Sequence, residues 1–514
     1  MTQLLDLPDE LLLEIIKQTC PEGIENLVSC CKKLYNTSDR ILEKHRTNKR
    51  KYSRLAWPPA DLWQPDDEGW GFATSLSKLL YEPQLAPYVR SLQYYTHRGE
   101  DREQLLKIFP QKSIETGDGV WQDFFDVSEC PFIPEAELAD WQKKIDMADM
   151  ETVLALLLTK LPNLERLAVR SLQSGIEVLT MMKHSSKAHQ SPNAHIRMHA
   201  PLRKLKVISE LDITPEASNI GLLEAFFMLP SMKAIQYRGE IDVFNLWPSS
   251  PAISEMTRVN YREPKHHGHS VMNINLEAFD RVLAHVRHLE HFDHKRDCDN
   301  HFQETKTTDI VKVVDKHARA TLTKLNLHFY HVSLLQMKKN NIFVGSLRSF
   351  THLSKIDISL ALLIRNQNDQ CTAARLVDIM PSSLEELIIG DHYIFGRPVP
   401  NEDETRLDHH TVENESGVLD HPRNLENEPD LQEKDDFLER TVEFLTGVFD
   451  GFPELKEKRL PNLKLVVLAE FVARTVLLVH KKMNIMCEKE GIALEPRSFQ
   501  DNYRLSDRIE KCSR

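Results

Sequence analysis

One pattern, apolar-x-x-apolar-x-apolar, recurs along this chain and limits what it can become. It reads LERLAV from Leu164, LRKLKV from Leu202, MKAIQY from Met232, MTRVNY from Met256, LEHFDH from Leu289, LTKLNL from Leu322, LSKIDI from Leu353, LEELII from Leu384 and LKLVVL from Leu463, with a weaker copy, VRSLQY, from Val89. From Met232 to Leu384 the copies start 24 to 33 residues apart. That distance holds one short strand and one returning helix, and such a unit buries its apolar face only by stacking on neighbours of its own kind. The stretches Leu222 to Leu229, Leu276 to Val286, Asp309 to Ala318 and Ala373 to Met380 carry helical apolar spacing, as returning helices should. The expectation is an α/β solenoid, with insertions in the wide gaps from Val89 to Leu164 and from Leu384 to Leu463.

Ahead of the repeats lies a different text, LLDLPDELLLEIIKQTCPEGIENLVSCCKKLY. Asp6 is placed to cap a first helix, Pro8 stands in its opening turn where a missing N–H is harmless, and Asp9 and Glu10 suit the positive end of its dipole. Leu11, Leu12, Ile15 and Ile16 repeat at helical spacing. Pro21, Glu22 and Gly23 then break the chain, and Ile24, Leu27, Val28, Cys31, Leu34 and Tyr35 form a second stripe. Ile41, Leu42 and the basic run from Lys44 to Arg54 read as a third helix. A module of about fifty residues is too small to bury stripes this large by itself, so something else must cover them.

These residues resemble the F-box. Its pattern of Leu-Pro-x-Glu-Leu, an aliphatic pair, and later an apolar residue, Cys, two basic residues and an aromatic is met by Leu7, Pro8, Glu10, Leu11, Ile15 and Ile16, then Cys30, Cys31, Lys32, Lys33, Leu34 and Tyr35. Leu34 stands where the family most often has Trp, and Thr19 where it often has Leu. The resemblance implies binding to the Skp adaptor of cullin-RING ubiquitin ligases, with Leu7, Pro8, Leu11, Ile15, Leu27 and Cys31 at or under the contact surface. The repeats are similar to the irregular leucine-rich repeats found behind F-boxes, notably in fungal proteins, and lack the Asn that regular repeats place after the strand. Together the two imply a non-catalytic substrate receptor. The alternative reading is an F-box and repeat scaffold with no degradative role, or one that contacts nucleic acid.

The chain then divides into an F-box at 1–50, a connector at 51–80 containing WPPADLWQPDDEGW, a leucine-rich-repeat-like solenoid at 81–395, a flexible acidic insertion at 396–436, a last repeat and C-terminal helix at 437–495, and a tail at 496–514. Tryptophans suit the connector as pins between the module and the first repeats. The segment from Ser185 to Pro201 reads as a rim loop.

Strand alternation singles out a functional face. The last two apolar residues of each copy point into the core, so the residues before, between and after them lie on the open, concave side. Those positions hold Arg166, Ala168 and Arg170; Lys204, Lys206 and Ile208; Ala234, Gln236 and Arg238; Arg258, Asn260 and Arg262; His291, Asp293 and Lys295; Lys324, Asn326 and His328; Lys355, Asp357 and Ser359. The candidate substrate-binding cations are Arg166, Arg170, Lys204, Lys206, Arg238, Arg258, Arg262, Lys324 and Lys355. Because the whole chain carries a formal net charge of −12, their concentration on one face is selective, and it suits an acidic or phosphorylated peptide.

Other chemistries find little support. Among 17 glycines none forms G-x-G-x-x-G or a phosphate loop, and no nucleophile elbow or H-E-x-x-H helix is present. The eight cysteines are scattered and read as reduced packing residues, so no disulfide, metal or cofactor is expected. His285, His288, His291, His294, Cys298 and His301 crowd one stretch, yet it crosses from helix to strand, so they would not share a face. The N-terminus lacks the pattern of a secretory signal and no apolar run reaches membrane length, which places the expected site of action in cytoplasm or nucleus. The run from Lys44 to Arg54 could serve as a nuclear address or as a solvated helix face.

Overall fold

A computed structural model describes residues 4–56, 78–79, 82–95, 132–146, 149–170, 176–213, 225–239, 254–262, 276–297, 307–330, 342–367, 370–390, 443–450, 457–469, 484, 487–488 and 491–497. The connector tryptophans, the acidic insertion, most of the tail, Cys298 and His301 lie outside them. An N-terminal helical region is followed by a mostly parallel α/β sheet region, and the chain divides into two compact units. The first is Met1–Gly239 with Val243–Met256, and the second is Thr257–Arg514 with Glu240–Asp242.

The N-terminal module has four helices rather than three: α1 Asp9–Gln18, α2 Ile24–Ser29, α3 Lys32–Thr37 and α4 Asp39–Tyr52. Asp6 closes a single 3-10 turn at Leu4–Asp6, and the cap position of α1 falls on Pro8, its carbonyl accepting the Leu12 N–H at 3.1 Å. The second apolar stripe is split at Cys31, whose backbone is extended and whose Sγ accepts the Leu34 N–H, so the helix restarts as α3. Leu12, Ile16, Ile24, Val28, Leu34 and Leu42 form one core, each no more than 4% exposed, with Leu7, Cys20, Leu27, Cys31 and Ile41 leaning on its margin. The helix expected to reach Arg54 ends at Tyr52, and the chain turns directly into strand β1, Arg54–Ala56.

In the first unit β1 pairs in parallel with β2 Ser91–Tyr95, then β3 Arg166–Arg170, β4 Val207–Ile213 and β5 Ala234–Gly239 follow in chain order. Its helices after the module are α5 Glu135–Asp146, α6 Met150–Thr159, α7 Ile176–Gln190 and α8 Ala194–His199. In the second unit β6 Arg258–Arg262, β7 His291–Asp297, β8 Lys324–Tyr330 and β9 Lys355–Ser359 are joined by α9 Leu276–Ala284 between the first two and α10 Thr307–Ala318 between the next. After β9 comes an antiparallel hairpin, β10 Ile364–Gln367 with β11 Gln370–Ala373, then a short α11 Leu376–Ile379. Parallel strands β12 Glu386–Gly390, β13 Leu465–Ala469 and β14 Ala493–Arg497 complete the unit. Among the described residues the strand order does not double back within either unit, unlike that of a doubly wound sheet.

Main-chain hydrogen bonds fix the register. The carbonyl just before each strand accepts two N–H groups from the next copy: Arg90 from Glu165 and Arg166, Glu165 from Lys206 and Val207, Thr257 from Glu290 and His291, Glu290 from Thr323 and Lys324, and Thr323 from Ser354 and Lys355, all within 2.8–3.1 Å. A second ladder was not visible in the repeat pattern. The residue before the first apolar position donates its side chain to a carbonyl of the preceding copy, through Asn163 to Pro87, Ser231 to Leu205, Thr321 to Leu289, Ser383 to Leu353 and Asn462 to Ser382, at 2.7–3.0 Å. On the core face Phe279 of α9 meets Phe292, and His294 fills an apolar slot by stacking on Tyr261 and meeting Phe329 edge-on.

Three expectations are corrected. The copy at Leu202 is read three residues early: Val207 pairs with Arg166 and Ile208 with Leu167, so the true frame is Leu205-x-x-Ile208 and Ile208 is buried. Ser185–Pro201 is not a loop but the end of α7 followed by α8, because small Ser185, Ser186 and Ala188 pack inside and the Ser185 hydroxyl donates to the Pro201 carbonyl. Ala373–Met380 yields only one helical turn beside the hairpin.

The module's core separates two neighbouring leucines. Leu12→Ala should lower stability by about 2–5 kcal/mol, since it opens a closed cluster, whereas Leu11→Ala should change it by less than about 0.5 kcal/mol. Denaturant titration of the full-length variants distinguishes the two.

Candidate functional site

Helical periodicity sends Leu12 and Ile16 inward and Leu11 and Ile15 outward. Leu11 is 53% exposed, while Pro8 is exposed and Leu7, Ile15, Leu27 and Cys31 are only partly covered. Pro8, Leu11 and Ile15 follow three-and-four spacing, which makes one stripe along α1. Exposed Leu4 and Tyr35 add to the module's uncovered apolar surface. All six residues assigned to adaptor contact therefore retain surface of their own.

The module is tied to the rest of its unit by polar groups, which leaves that stripe unused. The Lys204 ammonium donates to Glu22 in the α1–α2 turn and to Asn163 Oδ1 at 2.8 Å, and it holds the Glu22 carboxyl below the usual carboxylate range. His45 of α4 is buried, with Nδ1 3.2 Å from the Tyr88 hydroxyl and Glu25 Oε1 3.5 Å from its other ring nitrogen. Burial keeps this imidazole below its ordinary pKa and therefore neutral at pH 7. Lys49 donates to both oxygens of Glu25 at 2.9 Å.

In the second unit the face opposite the helices is polar and ordered in rows. Register places Arg258, His291, Lys324, Lys355 and Glu386 side by side, with Asn260, Asp293, Asn326 and Asp357 in a parallel row two residues on. Arg258 donates from Nε and Nη2 to His291 Nδ1 at 3.0 and 2.7 Å. Burial, then Arg258, then Lys324 push the His291 imidazole down to about 4, so at neutral pH it is an uncharged acceptor on that nitrogen. Lys324 is held below its ordinary value, first by burial and then by Lys355, and meets no carboxylate within ion-pair distance among the described residues. Lys355 donates to Glu386 at 2.6 Å. In the second row Asp293 Oδ2 accepts from Asn260 at 3.1 Å and Asn326 at 3.5 Å.

The structure thus sorts the nine cations chosen from the sequence. Arg258, Lys324 and Lys355 stand together in one row. Arg166 begins β3 and is half-buried, Arg170 and Arg262 end their strands and Arg238 is the last residue but one of β5, all three with side chains outside the described residues. Lys204 and Lys206 precede β4 instead of lying on it: Lys204 serves the Glu22 contact, and Lys206 pairs with Glu165 at 3.1 Å. Ala168, His328 and Ser359, also assigned to the open face, are buried. The role of Glu386 in neutralising Lys355, and of His291 as the acceptor for Arg258, emerges only from the register.

Among the described residues no group of three or more His, Cys, Asp or Glu is placed to hold a metal ion. His291 lies on the polar face and His294 in the core, while His285 reaches the Arg281 carbonyl at the end of α9. No helix among these residues is long and apolar enough to cross a membrane. Residues 4–46 match the F-box domain, so the helical module described above is an F-box. No curated protein matches the chain.

The unfolded chain protonates His291 near 6.5, while the folded chain does so only near 4. Stability contributed by the neutral ring is therefore complete above the unfolded pKa and falls as pH drops from about 6.5 toward 4. His291→Gln should flatten this part of the melting temperature against pH curve relative to the parent chain.

Proposed function

We propose that this chain is the substrate-recognition subunit of a Skp–cullin–F-box ubiquitin ligase. The observation that carries the reading is the division of the F-box into a closed core and an uncovered stripe. Six apolar residues satisfy one another, and Leu7, Pro8, Leu11, Ile15, Leu27 and Cys31 keep surface that a foreign helix can cover. The strand-per-copy order, the shared carbonyls and the donor ladder support leucine-rich-repeat-like units as the substrate-holding part. The chain's contribution is proximity: it raises the effective concentration of the target's lysines near transfer machinery carried by other subunits. On this reading it is not itself an enzyme and needs no cofactor.

The substrate surface is the row of Arg258, Lys324 and Lys355 in the second unit, with Arg262 of that unit as a further candidate; Arg166, Arg170 and Arg238 are separate candidates on the first unit's own strands. An acidic or phosphorylated peptide suits a row that offers donors and two cations without carboxylates, and Arg258 can contact a phosphate through the guanidinium N–H groups not turned to His291. Asp293 and Asp357 in the next row work against a nucleic acid, whose phosphates continue in both directions.

Two experiments separate the halves of this reading. Leu7→Ala with Leu11→Ala should weaken Skp binding by roughly a thousandfold if each anchor contributes about 2 kcal/mol, with the fold retained. Adaptor still recovered in full with the double variant would remove the ligase assignment. Arg258→Glu with Lys324→Glu should cut substrate capture by about tenfold or more and spare the adaptor. Capture that persists with steep salt dependence and is displaced by RNA would favour the nucleic-acid reading instead.

A further inference from the structure

From residue 178 to residue 209 the chain has no Asp or Glu and six Lys or Arg, against a net charge of −12 overall. Lys204 and Lys206 are engaged by Glu22 and Glu165. Lys183, Lys187, Arg197 and Arg203 meet no carboxylate among the described residues. Two of these four, Arg197 and Arg203, border a surface cavity of about 310 Å³ whose remaining lining is His189, Ala194 and Met198.

The side chains around this open cavity are held by local contacts. Arg197 Nη1 donates to the Ser191 carbonyl at 2.5 Å and Arg203 Nη1 to the Met198 carbonyl at 3.4 Å, so each guanidinium is anchored by one main-chain contact and keeps other N–H groups for a ligand. Asn193 caps α8 by accepting the His195 N–H at 2.9 Å, which fixes the short helix that carries Ala194, Arg197 and Met198. His189 Nε2 lies 2.9 Å from the Pro201 carbonyl, so that nitrogen donates and the ring is held by the chain itself. Met198 is 62% exposed, and with Ile176 it is one of two large apolar side chains exposed outside the F-box among the described residues. An uncovered apolar wall beside two uncompensated guanidiniums asks for a ligand that carries an anion and an apolar group close together.

We propose that this cavity binds the C-terminal residue of a protein, its carboxylate between Arg197 and Arg203 and an apolar side chain against Ala194 and Met198. At a chain terminus the carboxylate and the side chain leave the same carbon, so both reach one small cavity and the chain need not pass out again. The volume is at the lower end of that of small-molecule sites and suits a single residue. A phosphorylated serine inside a chain would satisfy the arginines but bring nothing to cover Met198. The planar carboxylate matches the guanidinium fork. This site uses α7, α8 and the turn before β4, and it does not depend on the row at Arg258 and Lys324.

Fluorescence polarisation with the full-length chain tests it, using a labelled Gly/Ser hexapeptide that ends in Leu. The free acid should bind at least about tenfold more tightly than the same peptide with a C-terminal amide, a loss in the range of a charged hydrogen bond. Arg197→Gln with Arg203→Gln should abolish that preference, and Met198→Ser should weaken the acid. Lys183→Gln with Lys187→Gln should leave it unchanged. Equal binding of acid and amide, or no binding of either, overturns the proposal. So does an amidated phosphoserine peptide that binds more tightly than the acid, or N-acetylleucine binding as well as the peptide, which would make a free small acid the ligand. If Lys183→Gln with Lys187→Gln is as damaging as the arginine pair, general charge and not the cavity is responsible. Melting curves of each variant confirm the fold.

Discussion

Each copy of the repeat hands one carbonyl to the next, and that carbonyl receives two N–H groups at once. Everything on the strand faces follows from this arrangement. It fixes which residue stands beside which, and because side chains alternate along a strand, a shift of one position would exchange the core for the surface. Arg258 reaches His291, and Asp293 reaches Asn260 and Asn326, only because the shared carbonyls put those side chains in rows. The polar chemistry of the second unit is thus a property of backbone register first and of composition second.

The F-box shows how a small module can be both stable and receptive. Six side chains close a core, and the adjacent positions on the same helix stay open, so the two demands fall on alternate residues of one apolar run. Burying Leu11 and Ile15 against the chain's own later segments would add stability and remove the surface. The structure instead joins the module to its unit through Glu22, which Lys204 reaches, and His45, which meets Tyr88, groups that would be costly to place on an apolar contact.

Much of this was legible in the sequence. The F-box pattern, the strand positions from Met232 onward and the helices α9 and α10 follow from apolar spacing, because burial on one face is what that spacing records. The errors have physical sources. In the copy at Leu202 two apolar frames compete, and only pairing with Leu167 selects Leu205-x-x-Ile208. Ser185 and Ser186 are polar by composition but small enough to be buried, so they conceal a helix. The charge of the open face was overestimated because partners such as Glu22, Glu165 and Glu386 lie far away in sequence and become neighbours only when strands align. The donor ladder of Asn163, Ser231, Thr321, Ser383 and Asn462 was present as a short polar residue before each first apolar position, a signal too degenerate to stand out without the carbonyls it serves.

The end of α4 has a consequence for how the N-terminal domain can be handled. Tyr52 closes the helix, Leu55 already belongs to a sheet strand, and His45 rests on Tyr88. Grafted onto another protein, the first fifty residues would arrive with an imidazole stripped of its cover and a glutamate stripped of its lysine. In this chain the F-box is no portable cassette. It is the first course of its own unit's sheet, and whatever grips it inherits the alignment of strands β1 to β5.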